Sequence, residues 1–384
     1  MQSTGRSVGR GKAVIFSIIP ALVFFVLAEA GLRLYVAYKA EKEAGKALPA
    51  PAQRNEYQRL DPVLGYGLLP GYDKSGIRVN SLGFRGPEVA ASKPPGTLRI
   101  VALGDSTTFG LAGEDCPYPA QLQRIIADML PLRSVEVING GVEGYSTIYA
   151  ARLLEHRVMP LHPDVVLIYV GWNDLYGTSP FVPNHAPLHE VLLPEPNEPA
   201  EHSLKARVAK FLDHIYLAQF IRRIIYLELP RLAARFEKRI DTKAGRQPHP
   251  AAFDLYKARL KHLVALSREG GAKPVLMTLP TVLSPQMSER DLSVIHYPSW
   301  SQGDYRLLYR VVQQMNDAIR GVAEEAQVAV IDNARFFDSL DNKGRLFFDT
   351  LHMYCEGYGL LAQNIYRELT RQGIVPAHET SSDK

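Results

Sequence analysis

Five short runs rich in Val, Ile and Leu, at 98–103, 135–139, 164–170, 274–279 and 327–331, recur along the chain. Segments of helical periodicity separate them, at 118–130, 147–158, 253–268 and 305–325, and a last one follows at 357–371. A continuous apolar run suits a strand buried on both faces, and strands that alternate with helices pair in parallel. The pattern therefore predicts an α/β fold: a three-layer sandwich with a five-stranded parallel sheet between two helical layers. Ligands of such sheets bind beyond the carboxyl ends of the strands. The residues that follow each run are accordingly where chemistry is expected.

The first run ends in "RIVALGDSTTFG", Arg99 to Gly110, which delivers Ser106 three residues past the apolar stretch. Taken alone, the serine fits a helix N-cap as well as a nucleophile. Three further signals fall on the same edge. In "VINGGVEGYST", Val137 to Thr147, glycines let the backbone approach a ligand, so the Gly144 N–H can face an oxyanion. In "YVGWND", Tyr169 to Asp174, Asn173 offers an amide donor where the third strand ends. In "FFDTLHMYCEGYGLLA", Phe347 to Ala362, Asp349 and His352 stand three apart before the final helix, so one turn can set a carboxylate against an imidazole.

In this order, at the ends of successive strands, the four blocks resemble those of the SGNH (GDSL-type) hydrolase family, over roughly residues 97–372. The resemblance implies a flavodoxin-like arrangement of the sheet. It also implies Ser106 as nucleophile, His352 as general base and Asp349 as its orienting partner. The Ser106 N–H, the Gly144 N–H and the Asn173 side chain would form the oxyanion hole, and no cofactor or metal is called for. The serine is not in a G-x-S-x-G elbow, which argues against an α/β-hydrolase. The expected activity is that of a serine esterase acting on an exported ester, a lipid or an O-acylated glycan. Relatives that resemble alginate-type acetylation proteins place Asp and His before the serine. Here Ser106 comes first, which favours hydrolysis over O-acetyl transfer to a cell-surface polysaccharide. A catalytically silent glycan-binding or assembly module is the reading from another class, and the full set of candidate residues argues against it.

Outside this region, a basic tail at 1–12 precedes the uncharged stretch Ala13 to Ala28. Continued through Glu29 and Arg33 to residue 36, it would make a transmembrane anchor, since a bilayer core takes about 20 apolar residues. The rival is a signal peptide cleaved near Ala30, after "AEA". Either reading puts the remainder outside the cytoplasm. Residues 37–56 read as a linker, 57–95 as an extension of short strands and turns, 175–250 as an insert and 373–384 as a disordered tail. Within the insert, Ser203 to Arg246 carries 11 Lys/Arg against four Asp/Glu, with apolar residues at helical spacing. It reads either as a packed face or as a lid or membrane-facing pair of basic helices beside the site.

The formal net charge of +4 is too weak to argue for a nucleic-acid partner, no zinc-finger or RNA-binding signature accompanies it, and no such partner is expected. Cys116 and Cys355 rule out a disulfide framework and a Cys-based zinc site. They read as small buried hydrophobes, with a single bridge between them left open. His185 and His189 are four apart, but Pro183 and Pro187 argue against a helical metal site. His156 and His162 read as surface residues away from the site. Tyr145, Trp172 and Tyr354 flank the catalytic blocks, as pocket or as core.

Overall fold

The structure, a computed structural model, describes residues 23–31, 33–34, 55–61, 63–111, 113–181 and 248–376. The chain divides into two units, one of residues 1–53 and 197–231, the other of 54–196 and 232–384. In the first, the described residues 23–31 and 33–34 are helical, with Val23, Phe24, Phe25, Val26, Leu27 and Leu34 all exposed. Arg33 Nε donates to Glu29 Oε1 at 2.8 Å, the pairing their spacing allows. Among the described residues no helix is long and apolar enough to cross a membrane. Residues 13–22 of the uncharged run, the basic segment 203–246, His185 and His189 lie outside the described residues.

The second unit opens with two small antiparallel pairs, β1 (Gln58–Asp61) with β2 (Gly65–Leu68) and β3 (Asp73–Lys74) with β4 (Ile77–Arg78). The main sheet follows: β5 (Leu98–Gly104), β6 (Val135–Gly141), β7 (Val165–Tyr169), β8 (Lys273–Met277) and β9 (Ala329–Ile331). All pairings are parallel and the order is β6-β5-β7-β8-β9. The five runs expected as strands are these five. Counted within the sheet the order is 2-1-3-4-5, so the winding reverses between β5 and β7. Every residue of β5 and β7 is buried, which is why both read as unbroken apolar runs.

The helices are α1 (Ser106–Phe109), α2 (Tyr118–Met129), α3 (Thr147–Leu153), α4 (Trp172–Gly177), α5 (Asp254–Glu269), α6 (Glu289–Ser293), α7 (Tyr305–Glu325), α8 (Asn333–Asp338) and α9 (Cys355–Arg371). α2 packs on α9 over one face of the sheet; α3 packs on α5, and α5 on α7, over the other. The long α7 illustrates why such segments are legible. Asp304 caps it by accepting from the Arg306 and Leu307 N–H groups, and Leu307, Leu308, Val311, Met315, Ile319 and Val322 line its buried stripe. The segment expected as a helix over 147–158 starts as α3, then winds as a π-helical turn at Leu154–Val158 and a 3₁₀ turn at Met159–Leu161.

Three expected boundaries move. The linker ends before Asn55, because Asn55 and Tyr57 already bond to Glu143. The insert begins later than 175: Leu175 is buried in the core as part of α4. The His249 N–H donates to the Pro180 carbonyl at 2.8 Å, so the described residues on either side of 182–247 meet directly. The first residues of the expected tail, 373–376, are packed, while 377–384 lie outside the described residues. The Ile374 and Val375 N–H groups both donate to Leu369 O, and Val375 is buried, an apolar closure after the left-handed Gly373. His162 is exposed as expected, but the His156 side chain is only 17% exposed.

The open edge of β6 is closed by its own neighbours. Gln123 donates to Val135 O and accepts from Val137 N, while Arg85 N donates to Asn139 O. At the other end of β5, Gly104 lets α1 sit directly on the strand ends. A Cβ there would lie inside van der Waals contact with Thr108 Oγ1 and the Tyr169 carbonyl. Gly104→Ala should therefore cost about 1–3 kcal/mol of stability through overpacking. Urea unfolding would register this as a lower midpoint at unchanged slope; an unchanged midpoint would contradict the close approach.

Candidate active site

The nucleophile candidate sits where β5 turns into α1. Asp105, not Ser106, caps that short helix: its Oδ1 accepts from the Thr107 N–H at 2.9 Å and from Thr107 Oγ1 at 2.7 Å. This separates the two readings of the serine. The cap is taken by the neighbouring acid, and Ser106 Oγ lies 2.8 Å from His352 Nε2, a contact spanning 246 positions of sequence. Burial pushes the fully enclosed Asp105 carboxyl above the ordinary carboxylate range, against the Thr107 hydrogen bonds and the nearby His352.

The partner turn lies just before α9. His352 Nδ1 and Asp349 Oδ2 are 2.6 Å apart, and Asp349 Oδ1 accepts from the Leu351 N–H at 2.9 Å and the His352 N–H at 2.7 Å. One carboxylate thus shapes the turn with one oxygen and holds the imidazole with the other. With Nδ1–H donating to the carboxylate, Nε2 is left to accept from the serine hydroxyl. Burial alone would raise the Asp349 carboxyl. The hydrogen bond and charge of the His352 ring, with the two N–H groups, outweigh it and hold the group below its ordinary value. Thr350 fastens the turn from behind: its Oγ1 accepts from the His296 N–H at 2.7 Å, and its carbonyl accepts from Thr281 Oγ1 at 2.7 Å.

Two loops complete the edge. After β6, Gly144 takes φ +82°, open to glycine at no steric cost. After β7, Asn173 stands in the first turn of α4, where its Nδ2 donates to the Tyr145 carbonyl at 2.9 Å. One amide hydrogen is thereby used to fix the side chain, and the second remains for a ligand. Asp174, which sequence reasoning passed over, joins the two loops. Its Oδ2 accepts from the Thr147 N–H at 2.9 Å and its Oδ1 from Thr147 Oγ1 at 2.5 Å, with Arg259 Nη1 3.6 Å away. Asn139 likewise joins β6 to α1, donating to the Thr108 and Phe109 carbonyls. Both lie within the blocks "YVGWND" and "VINGGVEGYST", but nothing in those blocks names the partners that they bond.

Cys116 and Cys355 form a disulfide, so the reading of both as separate small hydrophobes is corrected. The bridge ties the loop after α1 to the first residue of α9, and Gln121 Nε2 donates to both cysteine carbonyls. Tyr145 and Trp172 belong to the core, while Tyr354 is half exposed. Tyr354 meets Phe348 edge-on, and Phe348 lies parallel to the His352 ring at 5.6 Å between centroids. Among the described residues no group of three or more His, Cys, Asp or Glu side chains could hold a metal ion.

The model of the GDSL-like lipase/acylhydrolase family matches residues 102–360, and the chain belongs to that family, as an ester-hydrolysing enzyme. Comparison with curated proteins gives no match. Among solved structures, the chain is similar to a lipase/acylhydrolase from Enterococcus faecalis, at 18% identity and TM-score 0.42, over 73% of this chain and 99% of that one. It is also similar to an acetylxylan esterase from Geobacillus stearothermophilus, at 16% identity and TM-score 0.42, over 71% and 93%. A putative lipolytic protein of the G-D-S-L family from Desulfitobacterium hafniense follows at 17% identity and TM-score 0.39, over 71% and 99%.

The depressed Asp349 carboxyl predicts a pH dependence of stability. A carboxylate held below its ordinary value of 3.8 stabilises the fold fully above that pH and loses the contribution as pH falls through the lowered value. The stability gap between the protein and its Asp349→Asn variant should thus be widest near neutral pH and shrink in acid below 3.8. Urea midpoints of both proteins along a pH series measure it; a gap constant with pH would count against an ionised Asp349 in the turn.

Proposed function

We propose that the protein is a serine esterase that removes acyl groups from an exported ester, a lipid or an O-acylated glycan. The observation that carries this reading is the continuous contact from Asp349 Oδ2 through the His352 ring to Ser106 Oγ, at 2.6 and 2.8 Å. A serine hydroxyl is a weak nucleophile and needs such a base. In the proposed reaction His352 Nε2 takes the proton as Ser106 Oγ attacks the ester carbonyl, and Asp349 stabilises the imidazolium. The Ser106 N–H, the Gly144 N–H and the remaining Asn173 amide hydrogen take up the oxyanion, each worth about 3 kcal/mol in the transition state. His352 then protonates the departing alcohol, and water enters by the same relay to release the acyl group. Phe348 and Tyr354 offer an aromatic surface beside the relay on which a sugar ring or an acyl chain can pack.

The proposed location is outside the cytoplasm, held by an anchor within residues 13–36. Its support is the uncharged run Ala13 to Ala28, the exposed apolar side chains over 23–34, and the Cys116–Cys355 disulfide, which suits an oxidising compartment. Protease added to bacterial spheroplasts expressing the full chain should digest the catalytic domain and leave a small membrane-bound fragment. A domain protected until lysis would overturn this topology.

Kinetics of site variants test the mechanism. Ser106→Ala and His352→Ala should each abolish hydrolysis of p-nitrophenyl acetate. The double variant should be barely worse than either, because the two groups act as one unit. Asn173→Ala, which removes one donor of three, should lose about two to three decades in kcat with a smaller change in KM. Near-normal turnover by Ser106→Ala would refute the assignment, and a loss confined to KM would remove Asn173 from the oxyanion hole.

A further inference from the structure

The oxyanion donor assigned to Gly144 belongs to a peptide that can face two ways. The Tyr145 N–H donates to the Val142 carbonyl at 3.2 Å, so residues 142–145 form a β-turn with Glu143 and Gly144 at its centre. Gly144 has φ +82°, whereas Glu143 is not among the residues with positive φ. Positive φ at the third position alone defines the type II turn, and type I differs from it by a flip of the central peptide. That central peptide consists of the Glu143 carbonyl and the Gly144 N–H. In a trans peptide the two point in opposite directions, so whatever fixes the carbonyl fixes the N–H. Glycine lowers the steric penalty of either state and so does little to choose between them.

The choice is made from outside the family-matching segment, which starts at residue 102. The Tyr66 hydroxyl donates to the Glu143 carbonyl at 3.1 Å. Tyr66 is itself held to the same turn: Tyr145 Oη donates to the Tyr66 carbonyl at 2.6 Å, and the two rings meet edge-on at 5.1 Å. The Glu143 carboxylate is gripped in turn by Asn55 Nδ2 and by the Tyr57 hydroxyl, the latter at 2.6 Å. Burial and Glu143 both raise the Tyr57 phenol, so it stays protonated and a donor.

We propose that residues 55–61 and 63–66 form a strap that sets the oxyanion hole, with Tyr66 as the positioning residue that holds the Glu143–Gly144 peptide in its donating orientation. Accepting a hydrogen bond at the carbonyl also polarises the N–H at the other side of the peptide, which strengthens it as a donor. The extension thereby makes the strength of the hole depend on residues lying between the N-terminal apolar run and the catalytic domain. This rests on the esterase reading above, in which the Gly144 N–H meets the oxyanion.

The test compares the full-length protein with its Tyr66→Phe variant, which removes the donor and keeps the ring. Active sites are first counted by end-point labelling with a fluorophosphonate, so that a smaller folded fraction does not enter the rate. Per labelled site, kcat for p-nitrophenyl acetate should fall about tenfold, less than the two to three decades for losing a whole donor, with KM unchanged. Inhibition by trifluoroacetone, which forms a tetrahedral oxyanion on the serine, should weaken by the same factor. A kcat per labelled site equal to that of the unmodified protein overturns the strap, as does a fall in kcat with undiminished trifluoroacetone affinity. Failure of the esterase reading gives a different result: the unmodified protein then shows no turnover, or fluorophosphonate labels a serine other than Ser106, and the strap falls with it.

Discussion

The site hangs from the reversal of winding between β5 and β7. A parallel sheet ordered 2-1-3-4-5 sends its crossovers to opposite faces on the two sides of its first strand, which opens a crevice at that strand's carboxyl end. Ser106 emerges there, from a strand buried on both faces and therefore rigid. Asn173 follows the neighbouring strand on one side and Gly144 the neighbour on the other. The proposed base, His352, does not follow an adjacent strand and arrives from the far end of the chain, on the turn that precedes α9. Everything else in the site serves to hold these four arrivals in register.

The means are short polar ties between loops. Asp174 binds the start of α3 to the start of α4, Asn173 binds the Gly144 loop, Asn139 binds β6 to α1, and the disulfide binds the serine side of the crevice to the histidine side. Each neutral hydrogen bond contributes about 0.5–1.5 kcal/mol net, but a buried partner left unpaired costs more, so the ties act as constraints more than as a sum of energies. A proposed oxyanion hole assembled from two loops and one helix start needs such constraints, because its donors act only if they are aimed before charge develops.

Much of this was legible in the sequence because the signals were local. The strands of the sheet declared themselves by apolar runs, the long helices by period, and the three strand-end blocks and the block before α9 by their residue types. The residues that join the blocks were not legible in the same way. Asp174, Asn139 and Tyr66 act across 27 to 77 positions, and no spacing rule links an acid, an amide or a phenol to a partner so far away. Pairing of Cys116 with Cys355 was left open for the same reason: nothing in the chain says that the turn after α1 and the start of α9 will meet. The sequence leaves Ser106 open between helix cap and nucleophile, and only the fold shows that Asp105 takes the cap. The start of the tail was placed too early, because a short "GIV" after a helix reads as an end, whereas in the fold it closes the last turn of α9.

The central claim is that Ser106 carries the acyl group between the two halves of the reaction. The most direct measurement is to mix the protein with p-nitrophenyl acetate, quench in acid before turnover is complete, and map the acetylated peptide by mass spectrometry. The account predicts one acetyl group, on Ser106, in the protein and in its Asn173→Ala variant, and none in His352→Ala. Acetyl found on another residue, or continued turnover with no acetyl-enzyme trapped and no dependence on His352, would contradict it.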